Sequence, residues 1–138
     1  MLKAKDIMTK QVISIRKDAP VLEAVELLWK HDITGIPVVE DDMILVGVLT
    51  EKDVLRLFYA DEELKNKTVS SFMTQPAVHF DEDETLPAVC DCLMNYFLRR
   101  VPVTSKGKVV GIISRADIIE YILRQWRGNT IPAASASR

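Results

Sequence analysis

The chain has 138 residues, 48% of them hydrophobic and 28% charged, with a formal net charge of −2 at pH 7. That size supports one ordinary core, or two small ones that share an interface, and the composition excludes wholesale disorder. The near-neutral balance, without a long Lys/Arg stripe, argues against general nucleic-acid binding, and no apolar run approaches the length of a membrane-spanning helix.

In chain order, Met1-Leu2-Lys3-Ala4-Lys5-Asp6 lacks the apolar core of a secretory signal, so a cytoplasmic protein with no membrane partner is expected. Val12-Ile13-Ser14-Ile15 reads as a short strand. Asp18 then stands where a helix N-cap belongs, with Pro20 in the first turn. Val21, Leu22, Ala24, Val25, Leu28 and Trp29 have helical spacing and predict a helix from about Val21 to His31. The β-branched runs Ile36-Pro37-Val38-Val39 and Ile44 to Leu49, separated by Glu40-Asp41-Asp42, predict a hairpin. Thr50 opens a second helix carrying Val54, Leu55, Leu57 and Phe58, and the charged stretch 61–68 reads as a linker.

The same order then recurs: a strand around Ala77 to Phe80, a helix from Leu86 to Phe97, strands at Val101-Pro102-Val103 and Val109 to Ile113, and a helix after Ser114. Met8-Thr9 matches Met73-Thr74 and Ile36-Pro37-Val38 matches Val101-Pro102-Val103 at an offset of 65 (73 minus 8). Gly47-Val48-Leu49-Thr50-Glu51-Lys52-Asp53 matches Gly111-Ile112-Ile113-Ser114-Arg115-Ala116-Asp117 at an offset of 64 (117 minus 53), as a hairpin loop one residue shorter would produce. The chain is a tandem duplication of a β-α-β-β-α unit, with repeats at 1–60 and 69–126 and a Pro/Ala/Ser-rich tail at 127–138. Each repeat is too small to be comfortable alone, so an α/β fold with the two packed sheet to sheet about a pseudo-twofold axis is expected.

Several chemically capable residues have ordinary explanations. Cys90 and Cys92, two apart on a helix, point in opposed directions and read as buried thiols rather than a metal or redox pair. His31 at a helix end and isolated His79 have no second histidine at ligand spacing, and the run Asp81-Glu82-Asp83-Glu84 reads as an acidic helix start rather than a Mg²⁺ site. No metal site is expected. Trp29, Met94, Phe97 and Trp126 read as core or subunit interface. Ser/Thr-x-x-Asp, present as Thr50 to Asp53 and Ser114 to Asp117, fits a capping box. It also fits a ligand site, in which a helix N-terminus meets phosphate and the carboxylate accepts two ribose hydroxyls. The two readings are compatible.

The whole pattern resembles the cystathionine β-synthase (CBS) domain family, and two tandem copies resemble a Bateman module. The resemblance runs from Lys5 to about Leu123. It is carried by Asp6-Ile7-Met8-Thr9, by Ile33-Thr34-Gly35-Ile36-Pro37-Val38-Val39, and by Gly-x-hydrophobic-Thr/Ser-x-x-Asp in both repeats. It implies clefts between the repeats for an adenosine-containing ligand: AMP, ADP, ATP or S-adenosylmethionine. At one cleft the resemblance implies Asp117 for ribose, Ser114 and neighbouring amides for phosphate, Ile112 as a wall, and Thr9, Ile13, Ile33 and Thr34 around adenine, with Arg99 and Arg100 reaching phosphate. The mirror cleft would use Asp53, Thr50 and Val48 with Thr74, Val78 and Leu98. Arg99-Arg100 correspond to Thr34-Gly35, and Arg115 to Glu51, so the Asp117 cleft is expected to hold a phosphate-bearing ligand more tightly.

The expected function is a stand-alone regulatory CBS pair, for example in energy sensing. It would have no required cofactor and no catalysis of its own. A homodimer is expected to form through helix faces bearing Val54, Leu57, Phe58, Ile118, Ile122 and Trp126, acting on an unidentified regulated protein. The alternative is an interaction and dimerisation module with vestigial, ligand-free clefts.

Overall fold

The computed structural model describes residues 1–59, 61–95 and 99–128. In order these form α1 (Ala4–Ile7), β1 (Ile15–Arg16), α2 (Val21–His31), β2 (Gly35–Glu40), β3 (Ile44–Thr50), α3 (Glu51–Val54), α4 (Glu62–Lys65), β4 (Phe80–Asp81), α5 (Leu86–Asn95), β5 (Arg100–Ser105), β6 (Lys108–Ser114) and α6 (Arg115–Arg127). The fold is mixed α/β. The chain divides into two compact units, one of residues 13–77 with 107–109, the other of residues 1–12, 78–106 and 110 onward.

In the first of these units, β1 pairs parallel with β2, and β2 antiparallel with β3. A register shift at Val38/Val39 marks a bulge in the hairpin, and Ile44 pairs with Lys108. The Val21–His31 helix forms as its spacing requires, burying Val21, Ala24 and Leu28 against Ile36, Val38, Leu49, Val69 and Phe72. In the second unit β4 pairs parallel with β5, which neighbours β6, and α5 buries Val89 and Leu93 against Phe80, Val101, Val103, Ile113 and Ala4. The hairpin loops differ as the two offsets require: Asp41–Met43 is three residues long, whereas Lys106 and Gly107 make a two-residue turn. Both turn residues have positive φ, 53° and 82°, the backbone that a tight type I′ hairpin demands and glycine accepts readily.

The packing units are not the contiguous repeats. Ala4, Ile7 and Met8 pack with the second repeat's core, while the equivalent Val69, Phe72 and Met73 pack with the first repeat's. The same three backbone bonds seat each segment. Val69 N, Ser70 N and Val21 N donate to Ala19, Lys17 and Lys67 at 2.9, 2.9 and 3.0 Å. Ala4 N, Lys5 N and Leu86 N donate to Glu84, Glu82 and Leu2 at 2.8, 3.0 and 3.2 Å. Duplication thus copied the sequence, and each copy's leading segment completes the other copy's core.

Several expectations are corrected. The N-cap of α2 is Pro20, without a side-chain cap; Asp18 instead accepts from Arg16 Nε at 3.2 Å. The strands expected at 12–15 and 77–80 form only at Ile15–Arg16 and Phe80–Asp81, so His79 precedes its strand. The acidic run 81–84 ends β4 with Asp81 and continues as the β4–α5 turn, where Asp83 pairs with Lys5 at 3.1 Å and Lys3 at 3.5 Å. The linker contains helix α4, N-capped by Asp61. Both cysteines are half-buried rather than buried, and burial pushes the Cys92 thiol up. Trp29, Met94 and Trp126 are not core but 86%, 70% and 84% exposed. Val54, Leu57 and Ile118 pack inward, while Leu55, Phe58, Ile119, Ile122 and Trp126 are exposed apolar side chains of the expected interface helices. Phe97, Leu98 and residues 129–138 lie outside the described residues.

Candidate functional site

Each unit builds the same constellation from the end of a strand, the start of a helix and a Met-Thr segment. In the Asp117 unit, Ser114 ends β6 in extended conformation and caps α6. Its hydroxyl accepts from Asp117 N at 3.2 Å, and Asp117 Oδ2 accepts from Ser114 N at 2.7 Å and Ser114 Oγ at 3.1 Å. This reciprocal capping box pins the carboxylate at the helix entrance. Thr9 then pairs with Ile112 through two backbone bonds of 2.9 Å, and its hydroxyl donates to Asp117 Oδ1 at 3.3 Å.

Glycine makes that approach possible. A Cβ on Gly111 would stand 2.7 Å from Met8 Cγ, inside van der Waals contact, so glycine lets Met8-Thr9 lie along the strand with the Met8 side chain in this position. The repeated glycine and the repeated Met-Thr are therefore two halves of one contact, which their recurrence in the sequence did not reveal.

The Asp53 unit repeats the arrangement with Thr50 as cap. Asp53 Oδ2 accepts from Thr50 N at 2.9 Å and Thr50 Oγ1 at 3.0 Å, and Asp53 N donates to Thr50 Oγ1 at 3.3 Å. Thr74 pairs with Val48 through bonds of 2.8 and 3.0 Å. Here the threonine hydroxyl straddles the carboxylate, 3.0 Å from Oδ1 and 3.2 Å from Oδ2. The helix also differs: α6 runs thirteen residues, whereas α3 runs four and tightens into a 3₁₀ segment, Leu55–Tyr59. Arg56 in that segment, which sequence reasoning did not single out, stacks 4.7 Å from the Phe72 ring centre and reaches the carbonyls of Ser71 and Phe72 at 3.4 Å.

The helix entrances are partly occupied by the protein's own carbonyls and hydroxyls. Arg115 N donates to the Arg99 carbonyl and Glu51 N to the Thr34 carbonyl, both at 3.0 Å. With Asp117 N held by Ser114, two of the first three amides of α6 are engaged inside the unit. An anion there would rely on guanidinium groups more than on the helix end. Arg99 and Arg115 are exposed and Arg100 half-buried in the same unit.

Thus Thr9, Ile112, Ser114 and Asp117 are brought together, as are Val48, Thr50, Asp53 and Thr74. Ile13, Ile33 and Thr34, expected around adenine at Asp117, fold in the unit that contains Asp53, where Ile33 is core; Val78 folds in the unit of Asp117. Leu98 lies outside the described residues. Asp117 also lines an open groove of ≈ 390 Å³ in its own unit, with Leu2, Ile7 and Tyr121 as apolar wall and Asp6, Glu120 and Arg124 at its rim. Arg124 already pairs with Glu120 at 3.0 Å, so three carboxylates face one committed cation and the groove repels phosphate. Among the described residues no three His, Cys, Asp or Glu side chains converge as metal ligands, and no helix is long and apolar enough to cross a membrane.

The chain is similar to known proteins. The chain is 30% identical over 125 residues to an uncharacterised protein of Methanocaldococcus jannaschii (91% of this chain, 44% of the relative). It is 31% identical over 120 residues to inosine-5′-monophosphate dehydrogenase of Aquifex aeolicus (86% of this chain, 24% of the relative). It therefore spans less than half of these curated relatives. Among solved structures, CBSX2 in complex with AMP superimposes with a TM-score of 0.81 at 28% identity, over 92% of this chain and 100% of that one. The CBS domain pair of protein MJ0100, in complex with 5′-methylthioadenosine and S-adenosylmethionine, gives 0.74 at 28%, over 91% and 98%. The CBS domain family model matches residues 4–60 and 69–124, and the chain belongs to that family, carrying its domain twice.

Proposed function

We propose that the chain is a regulatory module that binds an adenosine-containing ligand at Asp117 and changes its conformation or association in response. The observation that carries this reading is the Asp117 carboxylate, oriented through Oδ2 by Ser114 while, among the described residues, Oδ1 accepts only the long bond from Thr9. A carboxylate oxygen has two acceptor positions, so Oδ1 can take a ribose hydroxyl without breaking the cap. Arg99, Arg100 and Arg115 would neutralise a phosphate, and relatives solved with AMP and with S-adenosylmethionine support the ligand class. Response requires only that the ligand favour one of two arrangements, so no catalysis is needed.

Titration calorimetry with AMP, ATP and S-adenosylmethionine tests the reading. One ligand should saturate wild-type protein, and Asp117→Ala should abolish binding while the fold persists. Silence from all three on folded, nucleotide-free protein refutes it. A second reading, an interaction module with vestigial sites, is favoured by the satisfied capping boxes and by exposed Phe58, Ile122 and Trp126, and that silence would select it.

A further inference from the structure

We infer that Thr74 is an internal competitor for ribose, which keeps the Asp53 carboxylate closed and makes the protein a one-site receptor. The inference rests on the adenosine-ligand reading. With Oδ2 filled by the two bonds of its cap, a vicinal diol has the two acceptor positions of Oδ1 to donate to. In the Asp53 unit the Thr74 hydroxyl takes one of them at 3.0 Å and leans on Oδ2 at 3.2 Å. Thr50 donates two further bonds to Oδ2, so an incoming diol must first expel Thr74. In the Asp117 unit the equivalent Thr9 touches one oxygen only, at 3.3 Å, beyond the usual range for a hydroxyl donor. One side chain, at the same repeat position, thus blocks one carboxylate and barely engages the other.

The backbone holds Thr74 in place. Thr74 cannot simply swing aside with its segment, because its amide and carbonyl are both bonded to Val48 and its neighbour Met73 lies against Gly47. Expulsion therefore means rotating the hydroxyl alone and leaving it without its carboxylate partner. A ligand that must replace a hydrogen bond already made gains little from it, and for a bond to a charged carboxylate the penalty is about ten- to hundredfold in affinity.

Titration with AMP decides the matter. Wild-type protein should bind one equivalent per chain, lost in Asp117→Ala. Thr74→Val, isosteric but without the hydroxyl, should bind a second equivalent within about tenfold of the first. That gain should vanish in Thr74→Val/Asp53→Ala and be absent from Thr74→Ser, which keeps the donor; a Thr74 that merely supports the fold would not change the number of sites. Two equivalent sites in wild-type protein, a single site lost in Asp53→Ala, or a Thr74→Val protein that still binds one equivalent would each overturn the inference while leaving the ligand reading intact. Absence of AMP, ATP and S-adenosylmethionine binding from every one of these proteins would overturn both.

Discussion

Replacing the motif glycines tests the contact that brings each Met-Thr segment to its carboxylate, and the two replacements should differ. A Cβ on Gly47 would stand 2.8 Å from the Thr74 carbonyl oxygen and 2.9 Å from Met73 Sδ. The first of these atoms is backbone and already accepts the Val48 amide at 3.0 Å, so relief requires the whole segment to retreat. Overpacking of this kind costs about 1–3 kcal/mol. Weakening the two Val48–Thr74 bonds adds roughly 1 kcal/mol, and the lower chain entropy of alanine returns about 0.5–1 kcal/mol. Gly47→Ala should therefore lose about 2–3 kcal/mol, a fall of roughly 6–12 °C in Tm for a domain of this size.

At Gly111 every close atom belongs to the Met8 side chain, with Cγ at 2.7 Å and Cβ at 3.1 Å. A thioether rotates out of the way more readily than a peptide, so Gly111→Ala should cost about 1 kcal/mol. Urea unfolding of the two variants beside wild type measures both. A Gly47→Ala protein within 0.5 kcal/mol of wild type, or a Gly111→Ala protein less stable than Gly47→Ala, would refute the reasoning; the 0.5 figure is about the spread of a neutral surface change.

Ser114→Ala removes a cap that serves both the α6 amide and Asp117, and should cost about 1 kcal/mol in denaturant unfolding, as should Thr50→Ala at α3. Asp83 is held below its ordinary value of 3.8 by its hydrogen bond to Lys5 and then by that ammonium's charge. A lowered folded-state value means stability present above the unfolded value and lost as pH falls through the folded one. The small advantage of wild type over Asp83→Asn should therefore be seen at neutral pH, fade below about pH 4, and shrink in high salt, as thermal melts across pH and salt would read. The homodimer expected from the sequence predicts that Trp126→Lys or Phe58→Lys shifts sedimentation from dimer to monomer, since both side chains stand more than four-fifths exposed in the single chain. An unchanged sedimentation coefficient in both variants would place the interface elsewhere or remove it.

Relations that span a few residues were legible in the residues alone. The Val21–His31 helix, the two capping boxes and the one-residue difference in hairpin loops are set by spacing, by a hydroxyl three positions from a carboxylate, and by counting. Such contacts need no knowledge of the rest of the chain. The tandem repeat and the family it marks were legible for the same reason, because a motif that recurs at a constant offset is a property of order.

What lies across the chain was decided by packing. Nothing local tells Asp18 that Arg16 will take its carboxylate and leave the cap to Pro20, or tells Trp29 and Met94 that their face of the helix meets no core. Nor does order reveal that Ala4–Met8 completes the core beside Gly111 while Val69–Met73 completes the one beside Gly47. Side-chain periodicity specifies which residues of an element seek burial; which distant element supplies the burial depends on where a missing Cβ leaves room. The sequence determined the two carboxylates and their caps, and tertiary structure decided which threonine hydroxyl each carboxylate meets and how closely, because that distance is set by a backbone brought in from far along the chain.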